Sequence, residues 1–329
     1  MNNYFWSVYY NLESELLDIA NTVHMADDQL DVYSIRIADL LVRSTIEIEA
    51  ISKLLYEQLG GNMNPVDKDG KSRTLYFDTD CLNLLEDKWE ISKRIVNVSG
   101  TRFYFEKEEN TVLFPLKKSY KFGDNGADWK RAYQAVKHDR YNSLKRGNLK
   151  NLIRAMAALY LLNIFNDSKT YTGQEFDPRV GSRVYSVEVA NAINGINIHM
   201  NDDCIIWTGT PREQAMYIHK NTEQEIRKWH RQFCTLFHSL NNSIKENKEL
   251  QESAISDYEL FHGDFETVTG KLLKNPLWSK YMVKAMNESK KVGDSKPTQY
   301  ETVVNKNQAI YPEMSWEDVF PGEKEMVLR

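Results

Sequence analysis

Cysteine is scarce in this chain of 329 residues, which contains three cysteines and no CxxC pair. Cys81, Cys204 and Cys234 lie far apart, so neither a disulfide framework nor a cysteine-based zinc site is expected. This usage fits a reducing compartment, and we therefore expect a cytoplasmic protein.

Long apolar runs and nucleotide-binding motifs are also missing. No run of 18 apolar residues occurs, which predicts a chain without a membrane span. The start, MNNYFWSVYYNLESELLDIA, is aromatic and acidic and lacks the features of a signal peptide. Without a phosphate-binding glycine loop or a nucleophile elbow, ATPases, hydrolases and dinucleotide enzymes are not expected. No cofactor and no metal site are predicted.

Positive charge is concentrated in one segment. The formal net charge is −5, whereas residues 126–154 carry eight basic and two acidic side chains. An acidic protein is not expected to coat nucleic acid without specificity, and a local basic segment indicates a specific anionic ligand. The 41% of hydrophobic residues is typical of a globular protein with a substantial core.

Helical periodicity dominates the first sixty residues, which are predicted to form two helices. Arg43 and Glu47 lie four residues apart on the second, expected over residues 33–58, and can pair with each other. LGGNMNP, with two glycines and a proline, is expected to end it. Its apolar stripe comprises Ile37, Leu41, Ser44, Ile48, Ile51 and Leu55.

Residues 62–125 have a different pattern. The runs RTLYF, KRIVNV, TRFYF and TVLFPL are short, aromatic and β-branched, with turn-rich segments between them. TRFYFEKEENTVLFPL is predicted to form a hairpin with a polar loop. The region is therefore expected to be a small β-rich insertion between helices.

A short helix is predicted next, from Asp128 as its N-cap to about His138. Arg131, Gln134 and His138 share one face of it, since seven residues correspond to two helical turns. The other face is apolar and expected to be buried; it comprises Trp129, Ala132, Tyr133 and Val136.

The following helix, capped by Asn148, carries the strongest apolar stripe of the chain and is expected to be central. Its stripe comprises Leu149, Leu152, Ile153, Met156, Ala157, Tyr160 and Ile164. Later, RVYSVEV and CIIWTG are predicted strands. Further helices are expected over residues 212–250, 256–273 and 277–291.

The order of these segments resembles the HEPN superfamily of small α-helical bundle proteins. The resemblance rests on RSTIEIEAISKLLYEQ, the insertion, and WKRAYQAVKHDR running into a long apolar helix, and it covers about residues 30–165. It implies a mainly α protein, with a HEPN-like helical bundle over residues 1–166 and the β-rich insertion at about 62–125. A C-terminal, mostly helical region with some β structure is expected over 180–291, and an extended or partly disordered tail over 292–329.

Many HEPN proteins are metal-independent ribonucleases of prokaryotic defence or toxin systems. Their signature is an arginine, then four to six residues, then a histidine, usually at a dimer interface. Arg131 and His138, with six residues between them, match it, and Arg140 of KHDR is an alternative arginine. The resemblance therefore implies an endoribonuclease that binds RNA, forms a homodimer and is regulated by a partner protein.

Metal-independent cleavage of RNA needs a base for the 2′-hydroxyl proton and an acid for the leaving oxygen. Histidine titrates near neutral pH and suits either role, so His138 is the predicted acid/base. A guanidinium, from Arg131 or Arg140, would stabilise the charge that gathers on the phosphate. The side chains expected to hold the substrate are Lys137, Gln134, Lys145, Arg146 and Lys150, in a basic run that ends at Arg154. Arg43 and Glu47 would support the site from the neighbouring helix.

Structural interpretations of the same residues stay open. His138 suits a helix C-terminus, where positive charge interacts favourably with the helix dipole. Arg131 suits a solvated surface, and Arg43 and Glu47 suit a simple intrahelical pair. With these roles, the chain would be a catalytically inactive HEPN-like protein that binds, dimerises or senses a ligand.

Other histidines give weaker signals. His199, Asp202 and Asp203 could bind a metal, but a polar turn before the strand CIIWTG accounts for them. His219 and His230 lie on the long helix predicted from residue 212, without the spacing of a HExxH metal site. We expect His230, next to a tryptophan, to be packed.

Overall fold

Local sequence signals define the ends of the main helices. In the computed structural model, the helix that begins at Ile35 is capped by Ser34, whose hydroxyl accepts from the amide three residues later at 3.2 Å. This helix ends at Gln58, and Gly60 follows with a positive φ of 79°. Asn148 caps a later helix in the same way, at 3.1 Å. The cap predicted at Asn148 and the stop predicted after residue 58 are confirmed.

The structure describes residues 4–118, 128–173, 176–193, 198–201, 204–207, 210–229, 276–294 and 297–307, and isolated positions between 231 and 274. The helices are α1 Tyr4–Ala20, α2 Ile35–Gln58, α3 Leu82–Trp89, α4 Glu108–Thr111, α5 Asp128–His138, α6 Arg140–Ser143, α7 Leu149–Asp167 and α8 Pro276–Asp294. The strands are β1 Met25–Ala26, β2 Val96–Val98, β3 Phe103–Tyr104, β4 Val112–Leu113, β5 Tyr171–Thr172, β6 Tyr185–Val187, β7 Val189–Asn191, β8 Ile198–Asn201, β9 Cys204–Trp207, β10 Tyr217–Asn221 and β11 Tyr300–Val304. The prediction of a mainly α protein is confirmed.

Helix α7 lies at the centre of the core and contacts α1, α2 and α5. Its predicted apolar stripe is buried, and burial extends around the helix to Arg154 and Asn163. The predicted stripe of α2 is also buried. A helix that is apolar on all faces is buried on all faces. Helix α7 therefore packs against its three neighbours and fixes their positions.

A buried polar network joins α1 to the chain near β6. The Glu13 carboxylate is 1% exposed and accepts from the Tyr9 hydroxyl at 2.9 Å and the Arg183 amide at 3.1 Å. Ser182 donates to the same carboxylate. The Tyr185 hydroxyl, close by, donates to a backbone carbonyl of α7 at 2.7 Å. These contacts satisfy polar groups that burial would otherwise destabilise.

The strands form small sheets with mostly nonlocal pairing. One sheet has the order β4-β2-β6 and is antiparallel, and a second has the order β5-β11-β10-β7. Strands β1 and β3 pair in parallel, and β8 and β9 pair in antiparallel fashion. Three predicted strands are confirmed. KRIVNV contains β2, RVYSVEV contains β6 and the start of β7, and CIIWTG contains β9.

The hairpin predicted for residues 101–116 is wrong. Strand β3 pairs with β1, β4 pairs with β2, and α4 lies between them along the chain. Asp27 explains the change, because its carboxylate accepts from the amides of Glu106 and Lys107 and from the Asn110 side chain at 2.7–3.2 Å. This carboxylate holds the connection in a helical turn.

The strand predicted at RTLYF is also wrong. Phe77–Cys81 forms a π-helical turn that leads into α3, so the insertion contains helix as well as strands. Asp80 stabilises the turn by accepting from both Arg73 guanidinium nitrogens (2.6 and 2.8 Å) and from the Tyr76 amide (2.9 Å). These hydrogen bonds, between residues four and seven positions apart, override the β propensity of the run.

The long helix predicted over residues 212–250 starts later than expected. Residues 212–214 form a turn, β10 follows, and helix is present at 223–229. Arg94 is buried and donates to the carbonyls of Arg212, Glu213 and Ala215 at 2.8–3.2 Å, which fixes the turn. Helix α8 confirms the helix predicted at 277–291, whereas the one predicted at 256–273 lies outside the described residues.

The chain divides into two compact units. The first comprises Met1–Lys220 and Glu301–Gln308, and the second comprises Asn221–Tyr300 and Ala309–Arg329. This division differs from the predicted boundary between residues 166 and 180, because β6 pairs with β2 and β11 joins the sheet of the first unit. No helix in the described part of the chain combines the length and apolar character that crossing a membrane requires.

Candidate functional site

Helix α5 presents the predicted polar face to solvent. Its apolar residues are buried, and the Trp129 indole nitrogen donates to the Pro115 carbonyl at 2.8 Å. Arg131, Gln134 and His138 are exposed on the other side. The amphipathic pattern therefore predicted correctly which side chains of α5 solvent can reach.

Asp128, the predicted N-cap, is the first residue of α5 and is buried. Its carboxylate lies 3.7 Å from the Arg131 guanidinium. Burial lowers the pKa of Arg154, and the Asp128 carboxylate acts in the opposite direction by favouring the charged guanidinium. The carboxylate thus stabilises one exposed and one buried guanidinium at the start of the helix.

His138 is the last residue of α5 and is exposed. Its ring makes no hydrogen bond within the part of the chain that the structure describes. The neighbouring Lys137 lies over the Tyr133 ring, 5.2 Å from its centre, and hydrogen bonding to the Tyr133 hydroxyl raises the pKa of Lys137. That hydroxyl also contacts Glu49 of α2 at 3.2 Å. Because the His138 ring is exposed and makes no hydrogen bond to a described residue, solvent and ligands can reach it directly.

Arg140 begins the next turn and pairs with α2. Its Nη1 donates to the Asp39 carboxylate at 2.5 Å. Asp139 caps α6 by accepting from the Asn142 amide and side chain, at 3.2 and 2.8 Å, and these bonds lower the pKa of Asp139. Helix α5 therefore ends at His138 and α6 begins at Arg140, and Tyr141 of α6 has 94% of its surface exposed.

The remaining basic side chains differ in accessibility. Lys145 and Arg146 are exposed on the single helical turn Leu144–Arg146, and Gly147 packs so closely on Ala38 that a Cβ there would lie 2.6 Å from the Ala38 Cβ. This contact holds the basic turn against α2.

Lys150 and Arg154 are less accessible than the pattern suggested. Lys150 is half-buried. Burial is the main cause that lowers its pKa, and the charge of Arg154 lowers the pKa further. Arg154 is only 2% exposed and donates to the Glu109 carbonyl at 3.3 Å. The prediction that the basic run contacts RNA as far as Arg154 is wrong at its end, because α7 is buried on every face.

The predicted pair of Arg43 with Glu47 is not formed. Arg43 instead forms a bidentate ion pair with Glu15 of α1. Its Nη1 donates to Oε1 at 2.8 Å, and its Nη2 donates to Oε2. Glu47 is partly buried, which raises its pKa. The two residues that were expected to support the site from α2 therefore face different surroundings, and Arg43 ties α2 to α1.

Sequence reasoning missed two residues near His138. Asp39 carries no local signal, since it becomes a partner of Arg140 only through the packing of α6 on α2. Tyr141 carries a weak signal, as an aromatic residue within the polar run RYNSLKRGN. An exposed aromatic among basic side chains is typical of surfaces that stack nucleic-acid bases.

Two of the other histidines lie on strands. His199 is in β8, and Asp202 and Asp203 lie outside the described residues, as does His230. His219 is in β10 rather than on a helix; its Nδ1 is 2.9 Å from the Thr302 hydroxyl, and burial lowers its pKa. It is part of sheet packing.

The exposed residues of α5, α6 and the Leu144–Arg146 turn form a basic surface with an accessible imidazole, three guanidiniums and one aromatic ring. Such a surface can bind a phosphate backbone, stack a base and exchange protons near neutral pH. Comparison with known proteins adds no further evidence: no family model, no curated protein and no solved structure matches this chain.

Proposed function

We propose that this protein is a metal-independent endoribonuclease with a HEPN-like bundle, used in defence or toxin biology. The observation that carries the proposal is the exposure of His138 at the end of α5, between Arg131 on the same helix face and Arg140 in the next turn. A buried imidazole held by backbone hydrogen bonds would have argued against catalysis.

In the proposed reaction, His138 removes the proton of a 2′-hydroxyl or protonates the leaving 5′-oxygen. The 2′-oxygen forms a bond to phosphorus while the bond to the 5′-oxygen breaks, leaving a 2′,3′-cyclic phosphate and a 5′-hydroxyl. Arg131 or Arg140 stabilises the charge on the pentavalent phosphorus. Lys137, Lys145 and Arg146 hold flanking phosphates. Two copies of the chain would pair their sites in one cleft.

The experiment is cleavage of a single-stranded RNA in EDTA by the full chain, beside His138→Ala and the matched control His24→Ala. His24 is also exposed, but it stacks on Tyr104, 4.8 Å between ring centres. We expect His138→Ala to lose about 100-fold or more in rate and His24→Ala to keep it. Products should carry cyclic phosphate ends, and a 2′-deoxy substitution at the cleaved position should block the reaction. Equal cleavage by His138→Ala and wild type would overturn the assignment.

A second function, that of a catalytically inactive binding or dimerisation protein, is favoured by two observations. Both candidate arginines already have carboxylate neighbours, Asp128 and Asp39. In addition, Ile35 and Ile46 are exposed on α2 at helical spacing, an arrangement suited to a partner surface.

Sedimentation analysis separates this second function from the first. If α2 mediates self-association, Ile46→Glu should shift the chain to monomer, whereas Val66→Glu, at another exposed apolar position, should not. A self-associating chain that never cleaves RNA, with or without a partner protein, would favour the binding function.

A further inference from the structure

A cavity of about 300 Å³ lies where the start of α5 meets α3 and the segment that follows β4. Leu82, Ile91 and Leu116 contribute apolar surface to it, and each of them is buried. Three lysines line it together with Asp78 and Asn83. Most of the lining residues are polar, and a cavity of this volume, with converging polar groups beside an apolar wall, can hold a small ligand.

The three lysines come from two separate parts of the chain that one hydrogen bond joins. Lys117 and Lys118 follow β4, and Lys130 lies on α5 next to Trp129. The Trp129 indole donates to Pro115 at 2.8 Å, so the lysine-bearing segment is attached to the helix at this point. The fold therefore brings these three lysines to one cavity, although the Lys117 ammonium lies over the Phe114 ring, 5.4 Å from its centre.

Among the described residues that line the cavity, the three lysines outnumber the two carboxylates, Asp78 and Glu86. Lys130 is half-buried and forms no ion pair with any described residue. Burial lowers its pKa, and the charges of Lys118 and Arg131 lower it further, whereas Asp78 acts in the opposite direction. An anion placed between the lysines would relieve this repulsion.

The acidic and amide groups of the cavity have other roles. Glu86 is engaged, since its carboxylate accepts from the Ser92 amide at 2.8 Å and the Ser92 hydroxyl at 2.7 Å. Asp78 and Asn83 are side chains that can accept hydrogen bonds from the hydroxyl groups of a ligand. A ligand with an anionic end and a hydroxyl-bearing end would match both kinds of group.

We propose that this cavity binds a small phosphate monoester that carries hydroxyl groups, such as a sugar phosphate or a mononucleotide. Lys117, Lys118 and Lys130 hold the phosphate, whose three oxygens and nearly two negative charges match several ammonium groups better than one carboxylate would. Asp78 and Asn83 hold the hydroxyl-bearing part over the apolar wall. This binding does not depend on RNA cleavage at His138.

The test is isothermal titration of the full chain with ribose 5-phosphate and adenosine 5′-monophosphate, in a phosphate-free buffer of low ionic strength. Ribose and inorganic phosphate are titrated separately. We expect at least one monoester to bind about tenfold tighter than either part alone, since one further charge-assisted hydrogen bond is worth about that factor. The absence of binding by both monoesters at millimolar concentration, or equal binding by inorganic phosphate, would overturn the proposal.

Variants identify the cavity as the place of binding. Lys130→Met keeps most of the side-chain volume and should weaken binding about tenfold or more. Lys118→Met, at an exposed position, should weaken it as well and serves if Lys130→Met does not fold. Lys88→Met is the matched control, because Lys88 is an exposed lysine of α3 outside the cavity. Binding that survives both cavity variants, or that falls equally in Lys88→Met, would contradict the assignment.

Discussion

The Arg140 guanidinium donates to the Asp39 carboxylate at 2.5 Å, and this contact joins the turn after α5 to α2. Both side chains are 46% exposed, so the pair is expected to stabilise the fold by less than about 1 kcal/mol. Its importance concerns binding, because the same guanidinium is a proposed phosphate ligand. If Arg140 binds RNA as proposed, Asp39 competes with the RNA for its guanidinium.

Removing the charge of Asp39 should strengthen RNA binding. We expect Asp39→Asn to lower the Kd for a single-stranded RNA by about two- to fivefold at low salt, which corresponds to at most about 1 kcal/mol. Fluorescence anisotropy measures this directly when the RNA carries 2′-deoxy substitutions, which block the proposed cleavage. Asp177→Asn is the control, since Asp177 also pairs with an exposed arginine, Arg179, at 3.0 Å, and lies on none of the elements that form the proposed site. Equal gains in both variants would indicate a general charge effect.

Tyr141 should contribute to RNA affinity but not to stability. Because the side chain is 94% exposed, Tyr141→Ala should change the free energy of unfolding by less than about 0.5 kcal/mol. If the ring stacks on a base, the Kd should rise by about 5- to 100-fold. Tyr104→Ala, at an exposed tyrosine of β3, should leave the Kd unchanged. An unaltered Kd in Tyr141→Ala would remove this residue from the proposed interface.

Arg154 should behave as a core residue. Arg154→Met removes a buried cation that the Asp128 carboxylate favours and leaves the Glu109 carbonyl without its donor, so the free energy of unfolding should fall by about 1–3 kcal/mol. Urea unfolding measures the change. Lys145→Met, at an exposed position nearby in sequence, should alter stability by less than about 0.5 kcal/mol yet weaken RNA binding. The reverse pattern would mean that Arg154 reaches the ligand surface.

The Asp80 contacts predict a pH-dependent contribution to stability. Hydrogen bonds from Arg73 are the main cause that lowers the pKa of Asp80 below its ordinary value of 3.8. The stabilisation is therefore present above that value and is lost as the pH falls through the lower pKa of the folded state. Asp80→Asn should lower the Tm at neutral pH, and its difference from wild type should shrink in acid. Asp87→Asn, at an exposed position of α3, should show no such trend.

The main helices were predictable because their signals are local. The stripe of α2, the Asn148 cap and the polar face of α5 depend on helical periodicity and on contacts three or four residues apart, and all three were confirmed. The exposure of Arg131, Gln134 and His138 followed from the same pattern. Their chemical roles stay predictions.

Strand pairing and ion pairing were harder to predict, since both join distant parts of the chain. Strands β3 and β4 look like a hairpin in sequence, but they pair with β1 and β2 because Asp27 organises the connection between them. Arg43 has a suitable partner four residues away and nevertheless contacts Glu15 of another helix.

The sequence by itself determined where the main helices begin and end, which faces of α2 and α5 are apolar, and which segment concentrates positive charge. Only the tertiary structure decided which of the charges beyond α5 solvent can reach. Arg154 and Arg146 look alike in sequence, yet one is buried in α7 and the other is exposed on a turn. The reason is physical: periodicity acts through neighbouring residues, whereas the burial of a charge depends on which carboxylates and carbonyls the rest of the chain brings to it.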